Sequence, residues 1–155
     1  MINVYKFNAK RNGFKLDEEL EKKMLLEEIQ EFYEATDMAE RVDARLDVDY
    51  VFRGTMMKYN YAGKNVSPEL FTLNQEFITV ANAILIEEFG NNQQIQNKVL
   101  GDCWKIVCEC NAMKTANLDE NGKVRKEQEG MELEIPDATQ LIREKLISAD
   151  LMVAE

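Results

Sequence analysis

The sequence predicts an all-α fold with a four-helix-bundle-like core, on three observations. Long stretches run without Gly or Pro while their apolar residues recur at helical spacing. Prolines number only two and aromatics make up only 8%, which suits long helices better than a β-sandwich. The stretches are separated by short turn signals, and short connections make neighbouring helices antiparallel. Residues 1–155 are read as a single domain, long enough to close a hydrophobic core.

Residues 1–15 are mixed in character, with Asn12-Gly13 marking a turn. From Leu16 to Ala39 the pattern is helical, its apolar positions including Leu20, Met24, Leu25, Ile29, Phe32 and Ala35. A second helix is expected from Glu40 to Tyr61, after a break near Thr36-Asp37. The loop "AGKNVSP" follows, and Ser67-Pro68-Glu69 opens a third helix with a hydroxyl cap, a first-turn proline and an acid beside the positive helix end. That helix stops at Gly90-Asn91-Asn92. A fourth runs from Gln93 to Thr115, and "NLDENGKVRKEQEG" is a long, polar, turn-rich loop. Pro136-Asp137 begins a short terminal helix, with Asp137 and Gln140 at capping-box spacing.

Composition narrows the chemistry. The formal net charge is −10, so nucleic acid backbones and anionic membranes are repelled unless cations intervene. There is no histidine, which excludes Ser-His-Asp and Cys-His catalysis, imidazole zinc sites and Glu-x-x-His di-iron centres. Cys103, Cys108 and Cys110 are read as reduced thiols of a cytoplasmic protein, too few for a four-ligand zinc site. No apolar run reaches the roughly 20 residues needed to span a bilayer, so no membrane partner is expected.

The informative stretch is "MLLEEIQEFYEA". At roughly 100° of rotation per residue, Glu31 lies about 60° from Glu28, with Met24 and Ala35 close to both, and Phe32 and Leu25 on the far side of Glu28. Both acids therefore fall within the apolar stripe, while Glu27 and Glu34 lie nearer its edge. The second helix repeats the pattern. Asp43 and Asp47 share a face, preceded by Glu40 and surrounded by Ala44, Val48, Tyr50, Val51 and Gly54. In an acidic chain a lone E-E-x-x-E run is ordinarily a solvated face. Apolar neighbours and a second acidic ladder argue for convergence instead. Clustered buried carboxylates lose hydration and repel one another. The nearby bases Lys22, Lys23, Arg41, Arg45 and Arg53 project mostly to other faces, so a divalent cation is the economical compensator. Oxygen ligands suit Mg²⁺, with Mn²⁺ as a substitute.

"LLEEIQEFYEA" followed by "VDARLDVDYVFRGT" resembles the all-α nucleoside triphosphate pyrophosphohydrolases of the MazG type, in particular their phage-like and phosphoribosyl-ATP pyrophosphohydrolase-like relatives. Glu27, Glu28 and Glu31 match that family's E-E-x-x-E motif, and Asp47, Tyr50-Val51 and Gly54-Thr55 match its second. Many members carry Glu where this chain has Ala44; Asp43 matches the subgroup with the acid one position earlier. "CECNAMKTANLDENGKV" is similar to a third motif through Asn111, Lys114, Gly122-Lys123 and then Pro136-Asp137, with Cys108, Cys110 and Ile106 as departures.

The resemblance implies Mg²⁺-dependent hydrolysis of a nucleoside triphosphate to monophosphate and pyrophosphate. It implies metal held by Glu28, Glu31 and Asp47, with Asp43 or Glu40 as a further ligand. Glu27 would orient or deprotonate water, or serve as another ligand. Lys114, with Lys123 or Lys126, would meet phosphate, and Asn111 would meet the base. A homodimer or homotetramer follows from the same resemblance. The reading from a different class is a non-catalytic helical module that binds nucleotide or metal, for which the departures at Ala44 and Ile106 speak.

Overall fold

A computed structural model describes residues 2–11, 13–114 and 136–154. The fold is all-α: six helices pack in a bundle-like arrangement, with no strand among the described residues. They are α1 (Ile2–Arg11), α2 (Glu18–Glu34), α3 (Met38–Tyr61), α4 (Pro68–Glu88), α5 (Gln93–Met113) and α6 (Ala138–Ser148). The loop expected over 117–130 lies outside the described residues.

Helix α3 is the axis. It packs against each of the other five helices. Val42, Leu46, Val48, Phe52 and Tyr59 are buried on it, so its apolar residues encircle the helix instead of forming one stripe. Around it stand Leu25 and Phe32 of α2, Phe77, Ala81 and Leu85 of α4, Val99 and Val107 of α5, and Ile142 and Leu146 of α6.

The helix boundaries follow local chemistry. Asp17 accepts from Leu20 N–H at 3.2 Å and starts α2. The chain leaves that helix at Ala35, and Asp37 caps α3 by accepting from Glu40 N–H at 2.9 Å. The Glu40 side chain reaches back past the cap, its Oε2 accepting from Thr36 N–H at 2.6 Å and fixing the chain as it enters α3. Asn92 caps α5 through Gln94 and Ile95, and Asp137 caps α6 through Thr139.

Three expectations need correction. Residues 2–11 form a helix, not a mixed segment. Helix α1 docks through Val4 and Phe7 together with the amides Asn3 and Asn8, a short mixed stripe that is easily read as irregular. Tyr50 donates to Asn3 Oδ1 at 2.6 Å, and Asn3 Nδ2 donates to the Cys108 carbonyl at 3.1 Å. Gly54 allows the close approach, because a Cβ there would stand 2.9 Å from Asn8 Nδ2. Second, the Ser67 hydroxyl makes no capping bond; α4 relies on Pro68 and on the Ser67 carbonyl, which accepts from Phe71 N–H at 3.0 Å. Third, Gln140 does not close a capping box with Asp137, since its oxygen accepts from Arg143 at 2.8 Å.

Contacts between α2 and α3 run in opposite order along the two helices, so they form an antiparallel pair. Tyr59 donates to Glu18 at 3.0 Å. Thr55 donates to Glu21 Oε2 at 2.7 Å, and Lys58 donates to Glu21 Oε1. Glu21, Thr55 and Lys58 are almost wholly buried. A buried ion pair with every oxygen satisfied registers two helices, but removing one partner strands the other charge. Lys58→Met should therefore cost about 3–5 kcal/mol in urea unfolding. The double change Glu21→Leu with Lys58→Met should recover most of that loss; equal destabilisation of single and double variants would contradict this account.

Candidate metal centre

The same antiparallel pairing brings acids together further along. One carboxylate oxygen from each of Glu28, Glu31 and Asp47 lies within 4.8 Å of the others. Glu28 is buried, Asp47 half-buried and Glu31 exposed, so the group sits at the mouth of the α2–α3 interface. Leu25, Ile29 and Phe32 pin one side of α2 into the core, and Ala44 and Val48 do so on α3, which leaves the acids on the adjoining flank.

Asp43 stands one helical turn before Asp47 and joins this neighbourhood without belonging to the tight trio. The Thr139 hydroxyl donates to its Oδ2 at 2.5 Å. Its Oδ1 is buried and has no hydrogen-bond partner among the described residues. A cleft of about 210 Å³ opens beside it, lined by Glu31, Glu34, Glu40, Asp43, Ala44 and Thr139 among others.

Electrostatics record the crowding. Burial holds the Asp47 carboxyl well above its ordinary 3.8, with Asp43, Glu28 and Glu31 pushing the same way and Lys114 opposing. Asp43 is also raised, first by burial and then by Asp137 and Glu31, against the Thr139 hydrogen bond and Lys114. Groups from α2, α3, the end of α5 and the start of α6 thus share one field.

The residues singled out in the sequence distribute as follows. Glu28, Glu31 and Asp47 meet, and Asp43 adjoins them. Of the pair left open, Glu40 turns back to cap α3, whereas Asp43 keeps an unpartnered oxygen. Lys114 is the C-cap of α5 and acts on both aspartates. Asn111 is buried, its Nδ2 donating to the Val107 carbonyl at 3.0 Å. Glu27 does not join the trio; it lies on an outer flank of α2 with Lys23, Leu26 and Gln30. Lys123 and Lys126 lie outside the described residues. The bases do face elsewhere: Lys22 pairs with Glu69, Arg41 with Glu88, Arg45 with Asp49, and Arg53 lies 4.7 Å from the Trp104 ring centroid. Sequence reading missed Thr139. No spacing rule links it to Asp43, 96 residues away. All three cysteines are free, and burial pushes the Cys103 thiol up to about 11.

Compared with known proteins, the chain matches no family model, no curated protein and no solved structure. The donor set therefore speaks for itself. It is all oxygen and clustered, and the adjoining Asp43 has a buried oxygen with no partner among the described residues; such donors fit a hard divalent cation such as Mg²⁺ or Mn²⁺.

The raised carboxyls set a pH dependence. Folded Asp47 keeps its proton at pH values where the unfolded carboxyl has lost it, so the folded state binds more protons over that window and stability falls as pH rises through it. In chelator, Asp47→Asn should be more stable than the wild type at pH 7. The advantage should shrink as pH drops toward the ordinary carboxylate range. Urea unfolding of both proteins at several pH values checks it, and parallel stability–pH curves would contradict the crowding.

Proposed function

We propose that this chain is a divalent-cation-dependent hydrolase that cleaves a nucleoside triphosphate to its monophosphate and pyrophosphate, of the MazG type that its motifs resemble. The observation that carries the reading is the meeting of Glu28, Glu31 and Asp47 between two antiparallel helices, with Asp43 and Lys114 in the same field. The sequence resemblance supports the choice of a triphosphate and of pyrophosphate release.

Glu28, Glu31, Asp47 and Asp43 would hold Mg²⁺. When bound, the ion supplies neutralisation of phosphate charge and acidification of a water molecule. A chain with net charge −10 needs that neutralisation before a polyanion can approach. Lys114 offers a positive side chain at the edge of the acidic group, suited to phosphate. The resemblance, not its position outside the trio, assigns Glu27 to accept a proton from water or to orient it. The resemblance assigns Asn111, buried one turn before Lys114, to a base edge. The resemblance also brings a homodimer or homotetramer. Leu26 and Tyr33 on α2 and Val80 and Ile84 on α4 are exposed apolar residues that such an assembly would cover.

Pyrophosphate release from a panel of ribo- and deoxynucleoside triphosphates, with Mg²⁺ or Mn²⁺, tests the proposal. Glu28→Gln and Asp47→Asn should lose metal affinity and at least about 100-fold in rate while remaining folded. Glu27→Gln should keep wild-type Mn²⁺ affinity yet lose about 100-fold or more in kcat, the signature of a proton acceptor rather than a ligand. Mn²⁺ binding without turnover of any triphosphate would favour the non-catalytic module, for which Ala44 and Ile106 would account.

A further inference from the structure

Helix α6 reaches the acidic centre across the fold. It runs antiparallel to the first half of α3, held at two points. Arg143 donates to Asp37 Oδ2 from Nη2 at 2.9 Å and from Nε at 3.2 Å, and one turn earlier Thr139 donates to Asp43. Asp37 is itself the N-cap of α3, so Arg143 locks α6 onto the helix end that carries Asp43. Asp137 in turn accepts from Thr139 N–H at 3.0 Å and fixes the backbone at that residue.

The consequence falls on Asp43. A carboxylate on an exposed helix face samples several rotamers. Here one oxygen is held at 2.5 Å by a hydroxyl whose backbone is capped and whose helix is pinned. The other oxygen is withdrawn from solvent and bonded to nothing among the described residues. A buried acceptor in that state carries a desolvation cost that a bound cation would offset.

We propose that Thr139 is a positioning residue for the acidic centre: its hydroxyl fixes Asp43 Oδ2 so that Oδ1 is presented, pre-oriented, as a ligand to the divalent cation. The inference rests on the metal reading above and extends it to a residue on a separate helix. Groups that orient a metal ligand from behind commonly govern affinity nearly as strongly as the ligand does.

The test is Mn²⁺ affinity, measured by paramagnetic resonance of free Mn²⁺ on the full chain without nucleotide. Thr139→Val keeps the shape and removes the hydroxyl, and should weaken Mn²⁺ binding about 10-fold or more. Thr139→Ser keeps the hydroxyl and should stay within about 3-fold of wild type, because the donor is retained. In the double variant with Asp43→Asn, loss of the hydroxyl should cost little further, since both changes disable one ligand. Wild-type Mn²⁺ affinity in Thr139→Val, or additive losses in the double variant, would overturn the role of Thr139 alone. A lower melting temperature of Thr139→Val in chelator with Mn²⁺ affinity intact would make the contact a docking bond for α6 and overturn it too. A wild-type chain that binds no Mn²⁺ would remove the metal reading itself, and this inference with it.

Discussion

Like charges at close quarters are the constraint around which this molecule is arranged. Glu28, Glu31 and Asp47 converge, and Asp43 adds a fourth carboxylate nearby. Left in water they would separate. They stay together because the helices bearing them are committed elsewhere, α2 through Leu25 and Phe32 and α3 through contacts on every side. Core packing at about 25 cal/mol per Å² of buried apolar surface readily outweighs a few kcal/mol of repulsion. Burial first, and the neighbouring carboxylates after it, hold Asp43 and Asp47 above their normal range.

The two ends of the α2–α3 interface show two solutions to the same problem. At one end Glu21 enters the interior with a complete set of donors, Thr55 and Lys58, and the result is a structural tie. At the other end the acids face one another, and the cations that sequence proximity offers are engaged with different partners. One buried acid is thus neutralised within the α2–α3 interface, while at the other end Glu28, Glu31 and Asp47 converge, with Lys114 acting against the field at Asp47 among the described residues.

Much of the fold was legible because it is local. Gly90, Asn92, Pro68 and Asp137 mark helix ends by their own chemistry, and the antiparallel order follows from short connections. Glu28 was legible because periodicity placed it on a buried flank; Glu31, expected on the same flank, is exposed at its rim, and the buried Glu21 carried no motif that singled it out. Helix α1 was not legible, because its docking face mixes Val4 and Phe7 with Asn3, Asn8 and the absent side chain of Gly54, and the amides break up the hydropathy signal. Nor was Thr139, whose importance depends on where α6 lands. Glu27 stands outside the trio, in keeping with its place near the edge of the stripe, since neighbouring residues on a helix point about 100° apart.

The contact of α1 with Tyr50 reaches further than docking. The same Tyr50 ring packs 5.7 Å from Trp104, which Arg53 also covers. Trp104 is the sole tryptophan, so indole emission originates at one spot where α3 and α5 meet. Tyr50 and Arg53 follow Asp47 on one continuous helix. The molecule therefore carries its own optical gauge: a shift of α3 caused by an ion arriving among the acids would register as a change in fluorescence, with no dye or label attached.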